Sequence, residues 1–430
     1  MEQNKHIPQG YKDSPLGIIP QEWEVKRLGS IVNYKKGYAF KNSQYKKEGI
    51  RIIRISDTNS NGIKDGESIY LDLREYSNFC DYRIFANDII IQTVGSRPPL
   101  YDSMVGKTIK VESKYNSCLL NQNLVLIRSK EIRHEILYAL LKSRRYIYHI
   151  ETIIQGNANQ VSITLNDLFK YKIPLPSLPE QQKIAEILTC WDTAIEKQTQ
   201  LIEKLETRKR GLMQQLLTGK KRLKGFEGEW RTVKLGEVGE ISSAGVDKKS
   251  TEGELPIRLL NYLDVYRRDF LFSKEFNHRV TASADKIGKC SVKKGDIFFT
   301  PSSEVPNDIG ISAIAMEDMP DVVYSYHVVR LRLHEDWDLK FRAYAFQTDM
   351  FYKQTKTLCD GSGQRYVISQ NNFRKIRINV PSIDEQTAIA DILSAIDEEI
   401  GKEKEKLAAL KEQKRGLMQV LLTGKKRVKI

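Results

Sequence analysis

"KRGLMQQLLTGKKR" (residues 209–222) and "KRGLMQVLLTGKKR" (residues 414–427) differ at one position, Gln215 against Val420. The offset of 205 residues holds without a gap far upstream. Ile184-Ala185 falls on Ile389-Ala390, Asp192 on Asp397, and Pro176-Ser177 on Pro381-Ser382. The 430-residue chain is therefore two copies of one unit, each a globular region followed by a long helix that ends in this basic motif.

The helix announces itself at both ends. Ser177 with Glu180, and Ser382 with Glu385, have the spacing of capping boxes. Gly219 and Gly424 stand as C-terminal stops, with lysine and arginine beside them at the negative end of the dipole. Between these ends apolar residues recur at steps of four and three. They are Ile184, Leu188, Trp191, Ile195, Ile202, Leu205, Leu212 and Leu216 in copy one, and Ile389, Leu393, Ile396, Ile400, Leu407, Leu410, Leu417 and Leu421 in copy two. Such a coiled-coil seam needs a partner helix to bury it. About 40 residues at 1.5 Å each make a rod of roughly 60 Å. Gln198 and Lys209 interrupt one seam, and Glu403 and Lys414 the other. One antiparallel alignment sets Lys209 against Glu403 and Gln198 against Lys414, as register-setting layers. The alternative is that both lysines reach out to solvent.

The segment before the first globular region matches the segment between the copies: Trp23 and Leu28 correspond to Trp230 and Leu235. Copy one runs from its helix straight into this segment, whereas copy two stops at Ile430. The N-terminal segment can supply the missing continuation, so the chain reads as a circle cut open once, a pseudo-twofold object with its two ends close together.

Both globular regions mix strands and helices in one order. "IRIIRIS" (50–56), "NDIIIQTV" (87–94) and "LVLIRS" (124–129) are strand-like, and "EIRHEILYALLKSRRYIYHIE" (131–151) is helical. Copy two has "LPIRLLN" (255–261), "GDIFFT" (295–300), "HVVRLRL" (327–333) and then "LKFRAYAFQTDMFYKQ" (339–354). Each closes on a glycine turn, 155–163 and 360–368. The loops are nearly unrelated, as "VGSRPPLYDSMVGK" (94–107) against "PSSEVPNDIG" (301–310) shows. One frame with two loop sets suggests two readers of different targets, because specificity usually lies on loops held by a scaffold.

Composition narrows the partner. A net charge of +14 points to a polyanion, most commonly nucleic acid. Five scattered cysteines without a CxxC argue against structural zinc and disulfides and fit a reducing cytoplasm. The polar N-terminus lacks a signal-peptide core, and no apolar run reaches the length of a membrane span, so a cytoplasmic protein is expected. Motifs for catalysis fail on inspection. "VGKT" (105–108) would need glycine where Tyr101 stands. Asp102 with Glu112, Ser113 and Lys114 only loosely follows a nuclease order, and the GxG at 361–363 opens no helix. The expectation is a non-catalytic chain.

The two helix openings, "PSLPEQQKIAEIL" (176–188) and "PSIDEQTAIADIL" (381–393), the "GLMQxLLTGKKR" ends and "SPLGIIPQEW" (14–23) together resemble the specificity (S) subunit of a type I restriction-modification enzyme. The resemblance spans essentially the whole chain. It implies an α+β protein with two mixed α/β target recognition domains, 1–176 and 224–381. These are separated by a central conserved helix, 177–223, and a C-terminal conserved helix, 382–430, paired as an antiparallel coiled coil. It further implies that each target recognition domain reads one half of a bipartite site in double-stranded DNA. The helices would set the spacing and dock two methyltransferase (M) subunits, with restriction/translocase (R) subunits in the larger complex. S-adenosylmethionine, ATP and Mg would belong to those partners, with no cofactor in this chain. A scaffold that does not bind DNA is the competing reading, and it leaves the divergent loops without a purpose.

Residues able to touch phosphates and base edges on the divergent loops are Lys41, Asn42, Ser96, Arg97, Tyr101 and Lys107 in the first region. In the second they are Lys248, Lys249, Ser302, Ser303, Asn307 and Arg365.

Overall fold

The computed structural model describes residues 7–60, 62–156, 160–362 and 365–430. The two glycine turns expected at 155–163 and 360–368 lie partly outside them.

Two helices of 39 residues, Leu178–Leu216 and Ile383–Leu421, occupy the expected stretches. At 1.5 Å per residue each is about 58 Å long. Both end on glycine in the left-handed region, Gly219 at φ +70° and Gly424 at φ +71°, where a side chain would be strained.

The chain divides into two compact units whose boundaries fall inside these helices. The first unit is Met1–Lys197 with Leu407–Ile430, and the second is Gln198–Lys406. The boundaries therefore differ from divisions at 176/177, 223/224 and 381/382. The cause is burial at the helix ends. Ile184, Ala185 and Leu188 join the core of the first globular region together with Leu421 and Leu422. Ile389, Ala390 and Leu393 do the same in the second unit with Met213, Leu216 and Leu217. Each globular region thus holds the start of its own helix and the end of the other.

The helices run antiparallel within each unit, but in a different register from the one the polar breaks suggested. In the second unit Gln198 Nε2 donates to the Glu403 carbonyl (3.2 Å) and to its carboxylate, and Lys404 pairs with Glu206 (2.7 Å). Lys209 pairs with Asp397 (2.6 Å), not with Glu403. Lys414 likewise takes Asp192, not Gln198, in the first unit. The two lysine pairs are the same pair repeated at the 205-residue offset. Gln198 and Glu403 are themselves equivalent positions, so this polar layer pairs with its own repeat. The physical reason is charge balance: in this register both lysines find an aspartate, whereas in the other only Lys209 would meet a carboxylate and Lys414 would face the Gln198 amide. Leu205, Ile396 and Ile400 fill the adjoining apolar layer.

Each unit is built on one mainly antiparallel sheet. In the first unit its order is Thr108–Lys110, Ile89–Gln92, Leu124–Ser129, Val32–Lys36. In the second it is Ser312–Ala315, Ile297–Phe299, Val329–Leu333, Gly239–Ser242, with Phe270–Leu271 added in parallel beside Ser312–Ala315. A smaller sheet uses Ile50–Ile53 in one unit and Leu255–Leu260 in the other. The helices expected over 131–151 and 339–354 are each broken in two. Ser143 and Thr348, again 205 apart, turn their hydroxyls onto the N–H groups of Tyr146 and Phe351 and start the second piece. An unbroken apolar period hid that cap.

The chain ends meet within the first unit. Tyr11 donates its hydroxyl to the Gly424 carbonyl (3.0 Å), and Arg427 pairs with Glu22 (3.0 Å). The continuation that copy two lacks is supplied by residues 11–23.

Ser382 Oγ accepts the Glu385 N–H (3.4 Å) and Ser177 Oγ donates to Glu180 (3.3 Å), as the capping spacing led one to expect, but the glutamate carboxylates have a further task. Glu180, fully buried, accepts the Trp23 indole N–H (2.7 Å) and the Arg427 Nε–H (2.5 Å). Glu385, equally buried, accepts the Trp230 indole N–H (2.9 Å) and two N–H groups of Arg222 (2.7 and 2.8 Å). Charge-assisted bonds to arginine are roughly twice as strong as neutral ones, so the carboxylate serves the clamp. The repeated tryptophan, the helix opening and the final arginine of "GKKR" are thus one structural device, present once per unit.

Candidate nucleic-acid interface

In the second unit the divergent loops converge at one edge of the frame. Strand Ser302–Ser303 pairs with Arg365–Val367, and an Arg365 N–H reaches Ser302 Oγ (3.4 Å). Tyr262 donates to the Ser302 carbonyl (2.9 Å) and stacks on Tyr266 with centroids 6.0 Å apart. The Tyr266 hydroxyl in turn bonds Asp308 (3.2 Å). Next to them the loop carrying Lys248 and Lys249, both exposed, leaves the frame at Gly245. A Cβ on Gly245 would sit 2.3 Å from the Ser325 carbonyl carbon, so only glycine lets the loop pass this close to the turn at 325–327. Burial, together with the charges of Lys248 and Arg365, holds the His327 imidazole below the usual histidine range, against Asp247. Of the six residues expected here, Lys248, Ser302 and Arg365 are joined by these contacts. Ser303 and Asn307 lie on the same segment, the latter exposed. Tyr326 and His327, which the structure adds to this edge, were not among the expected residues because "SYHVVR" reads as the start of a strand; their mismatch with Asn121-Gln122-Asn123 in copy one was the available signal.

In the first unit, Val94–Gly95 pairs with Val161–Ser162, the counterpart of the pairing above. Ser96 is bridged to Ser103 (Oγ to Oγ 2.8 Å), and Arg97 donates to the Gly156 carbonyl (2.6 Å). Leu100 and Tyr101 stand exposed at the loop tip. Lys41 and Asn42 are exposed beside a different cluster, that of Phe40 and Tyr45.

Lys107 is not a surface contact. It is 4% exposed, and its ammonium donates to the Asp102 carbonyl (2.6 Å). Burial pushes its pKa down to about 8; Asp102 opposes this, and Lys64 and Lys142 add to it. Asp102 is held below the usual carboxylate range chiefly by the Ser60 hydroxyl (2.5 Å). Lys107 therefore props the loop 94–107 from within, and the exposed cations beside it are Lys64 and Lys142. A loop that must return to the sheet at Thr108 needs its last carbonyls satisfied, and a lysine one residue before the strand reaches back to do so.

The edges of both units offer hydroxyls, amides, aromatic faces and lysine or arginine cations. These are the groups that hold phosphates and read or stack on bases. Among the described residues there is no cluster of three histidine, cysteine or acidic side chains that could hold a metal ion. No helix among them is long and apolar enough to cross a membrane.

The fold has solved counterparts. An S subunit of a type I restriction-modification system from M. genitalium superposes with a TM-score of 0.51 at 18% identity, covering 93% of this chain and 96% of that one. A chain from a structure addressing complex assembly of the type I R-M system gives 0.57 at 17% identity, covering 94% and 99%. The sequence family follows from a different comparison. The type I restriction modification DNA specificity domain matches twice, over residues 20–207 and 227–412, and the chain belongs to that family. Relatives include the type I restriction enzyme MjaVIII specificity subunit of Methanocaldococcus jannaschii, 27% identical over 96% of this chain and 94% of that one. The EcoAI specificity subunit of Escherichia coli is 28% identical over 43% of this chain and 31% of its own length.

Proposed function

We propose that this chain is the DNA-reading subunit of a type I restriction-modification complex, with one half-site read by each globular region. The carrying observation is the contrast within the repeat. Sheet, helix and tryptophan–glutamate–arginine clamp recur, whereas the loops gathered at one edge do not. A scaffold has no use for two differently furnished copies. On this reading the seam of the long helices sets the gap between half-sites, and the helices dock two methyltransferase subunits. Restriction/translocase subunits complete the assembly. Methyl transfer and ATP-driven cleavage, with S-adenosylmethionine, ATP and Mg, belong to those partners. Double-stranded DNA is bound through phosphate contacts that weaken with salt and base contacts that do not.

The test exchanges residues 236–360 for the equivalent part of another family member and sequences the sites methylated by the complex. One half of the recognised sequence should change while the other stays. Change in both halves, or in neither, would overturn the two-reader reading.

A further inference from the structure

We propose that the turn at 325–327 is the base-reading element of the second unit, with His327 hydrogen-bonding a base edge and Tyr326 stacking on a base or lying against it. The proposal rests on the DNA-reading function above and assigns it to particular side chains.

The turn has a rigid backbone, an exposed Tyr326 and a half-buried His327. Ser325 N–H donates to the Leu260 carbonyl (2.9 Å), Tyr326 N–H to Val246 (3.2 Å) and Val328 N–H back to Ser325 (3.0 Å). The Ser325 hydroxyl accepts from His327 N–H (3.3 Å). Ser325 is fully buried, whereas the Tyr326 side chain is 47% exposed. The two rings lie against each other with centroids 4.0 Å apart at 37°. A reader needs this combination, since positions fixed before binding lose little freedom on binding.

The surroundings supply the rest. Lys248 and Arg365 approach His327 from two other elements and give the turn a cationic rim suited to the phosphates that flank a base step. Asp247 is the carboxylate facing it. Burial and these two cations lower the His327 pKa and so favour its neutral imidazole. A neutral imidazole offers one donor and one acceptor, which a base edge can distinguish; an imidazolium offers donors only.

The repeat provides an independent observation. In the first unit the corresponding turn is Asn121-Gln122-Asn123. Asn121 N–H donates to the Ile53 carbonyl (3.0 Å) and Leu124 N–H to Asn121 (3.1 Å), the same two anchors. The backbone is conserved between copies and the side chains have changed from amides to tyrosine and histidine. Amides suit paired donor–acceptor contacts to adenine, and imidazole with a phenol suits other edges. The turn is therefore a fixed mount whose side chains differ between the two units.

The experiment compares Tyr326→Ala, His327→Ala and His327→Asn with the parent chain, each assembled with its methyltransferase subunits. Methylation is profiled on a random-sequence DNA library, and mixed-sequence DNA binding is measured at a stated salt concentration. The expected result is a relaxed or altered preference at one or two positions of a single half-site. Methylation of the parent site should fall about tenfold or more, with mixed-sequence binding changed less than threefold. His327→Asn, which installs the side chain of the other copy, keeps the mount intact and should shift preference rather than abolish activity. An unchanged profile for Tyr326→Ala and His327→Asn would overturn the assignment while leaving the two-reader function standing. A parent complex with no sequence preference at all would instead remove that function, and the assignment with it.

Discussion

The two units place the same device under different constraints. In the second unit the Trp230–Glu385–Arg222 clamp closes a short loop of continuous chain between helix end and tryptophan. In the first unit the equivalent Trp23–Glu180–Arg427 clamp joins residues from opposite ends of the chain. The local chemistry is alike, but only the first clamp has no covalent connection behind it. The seam shows a second contrast. Lys209 lies 14% exposed between Asp397 and the Tyr344 ring, whose hydroxyl also bonds Asp397 (2.8 Å). Lys414 is almost as sheltered, at 18%, but its Asp192 is 61% exposed where Asp397 is 28%. The repeat conserves which residues pair, while the surrounding loops decide how far each pair is removed from water.

Breaking the clamps should have the largest effect. Glu180→Ala strands the buried Trp23 N–H and Arg427, and Glu385→Ala the half-buried Trp230 N–H and Arg222; each should lose up to about 3–5 kcal/mol, the range for a buried pair deprived of one partner, with Glu180→Ala the larger. Truncation after Gly424 removes Arg427 and should destabilise the first unit alone, whereas Arg222→Ala should act on the second. Urea denaturation combined with limited proteolysis reports which unit opens. If truncation exposed the second unit to protease as readily as the first, the clamps could not be independent.

The seam lysines sharpen the contrast on a smaller scale. Lys209→Met should cost about 1.5–3 kcal/mol, the range for a sheltered hydrogen bond to a charged group. Lys414→Met should cost less, about 1 kcal/mol, because solvent reaches its Asp192 partner and screens the pair. Chemical denaturation of the two variants side by side checks this, and equal losses would show that Tyr344 and its loop add nothing.

The smallest effect concerns Lys107, which has no counterpart prop in the second unit's shorter loop. Its folded pKa of about 8 lies below the 10.5 of an unburied lysine, so the unfolded chain binds more protons between those values. Stability should therefore rise as pH increases from about 8 to about 10.5. Lys107→Met removes the cost of burying the charge and should raise the melting temperature by about 2–4 °C at pH 7. The advantage should shrink towards zero by pH 10.5. A lower melting temperature for Lys107→Met would mean that the hydrogen bond to the Asp102 carbonyl, rather than the buried charge, governs this position.

Much of this architecture is legible in the chain. The 205-residue repeat, the 3–4 apolar spacing of the long helices and the match of Trp23 to Trp230 specify two equivalent halves, their helices and the meeting of the chain ends. The candidate interface was legible only in part. Lys248, Ser302 and Arg365 could be chosen as polar loop residues, but Lys107 looked the same in sequence and is buried. Tyr326 and His327 looked like the beginning of a strand.

Sequence by itself determined what depends on local order: helix period, strand patterning, glycine stops and the identity of the repeat. These follow from backbone geometry and from which side chains prefer water, and both act over a few residues. The tertiary structure alone decided partnership and exposure. Glu180 and Glu385 reach past the helix cap to an arginine and a tryptophan, Lys209 takes Asp397 rather than Glu403, and Lys107 bends inward to a carbonyl. In each case the competing partners differ by a few kcal/mol or less, and the outcome rests on which of them the packed chain brings within hydrogen-bonding distance and away from water.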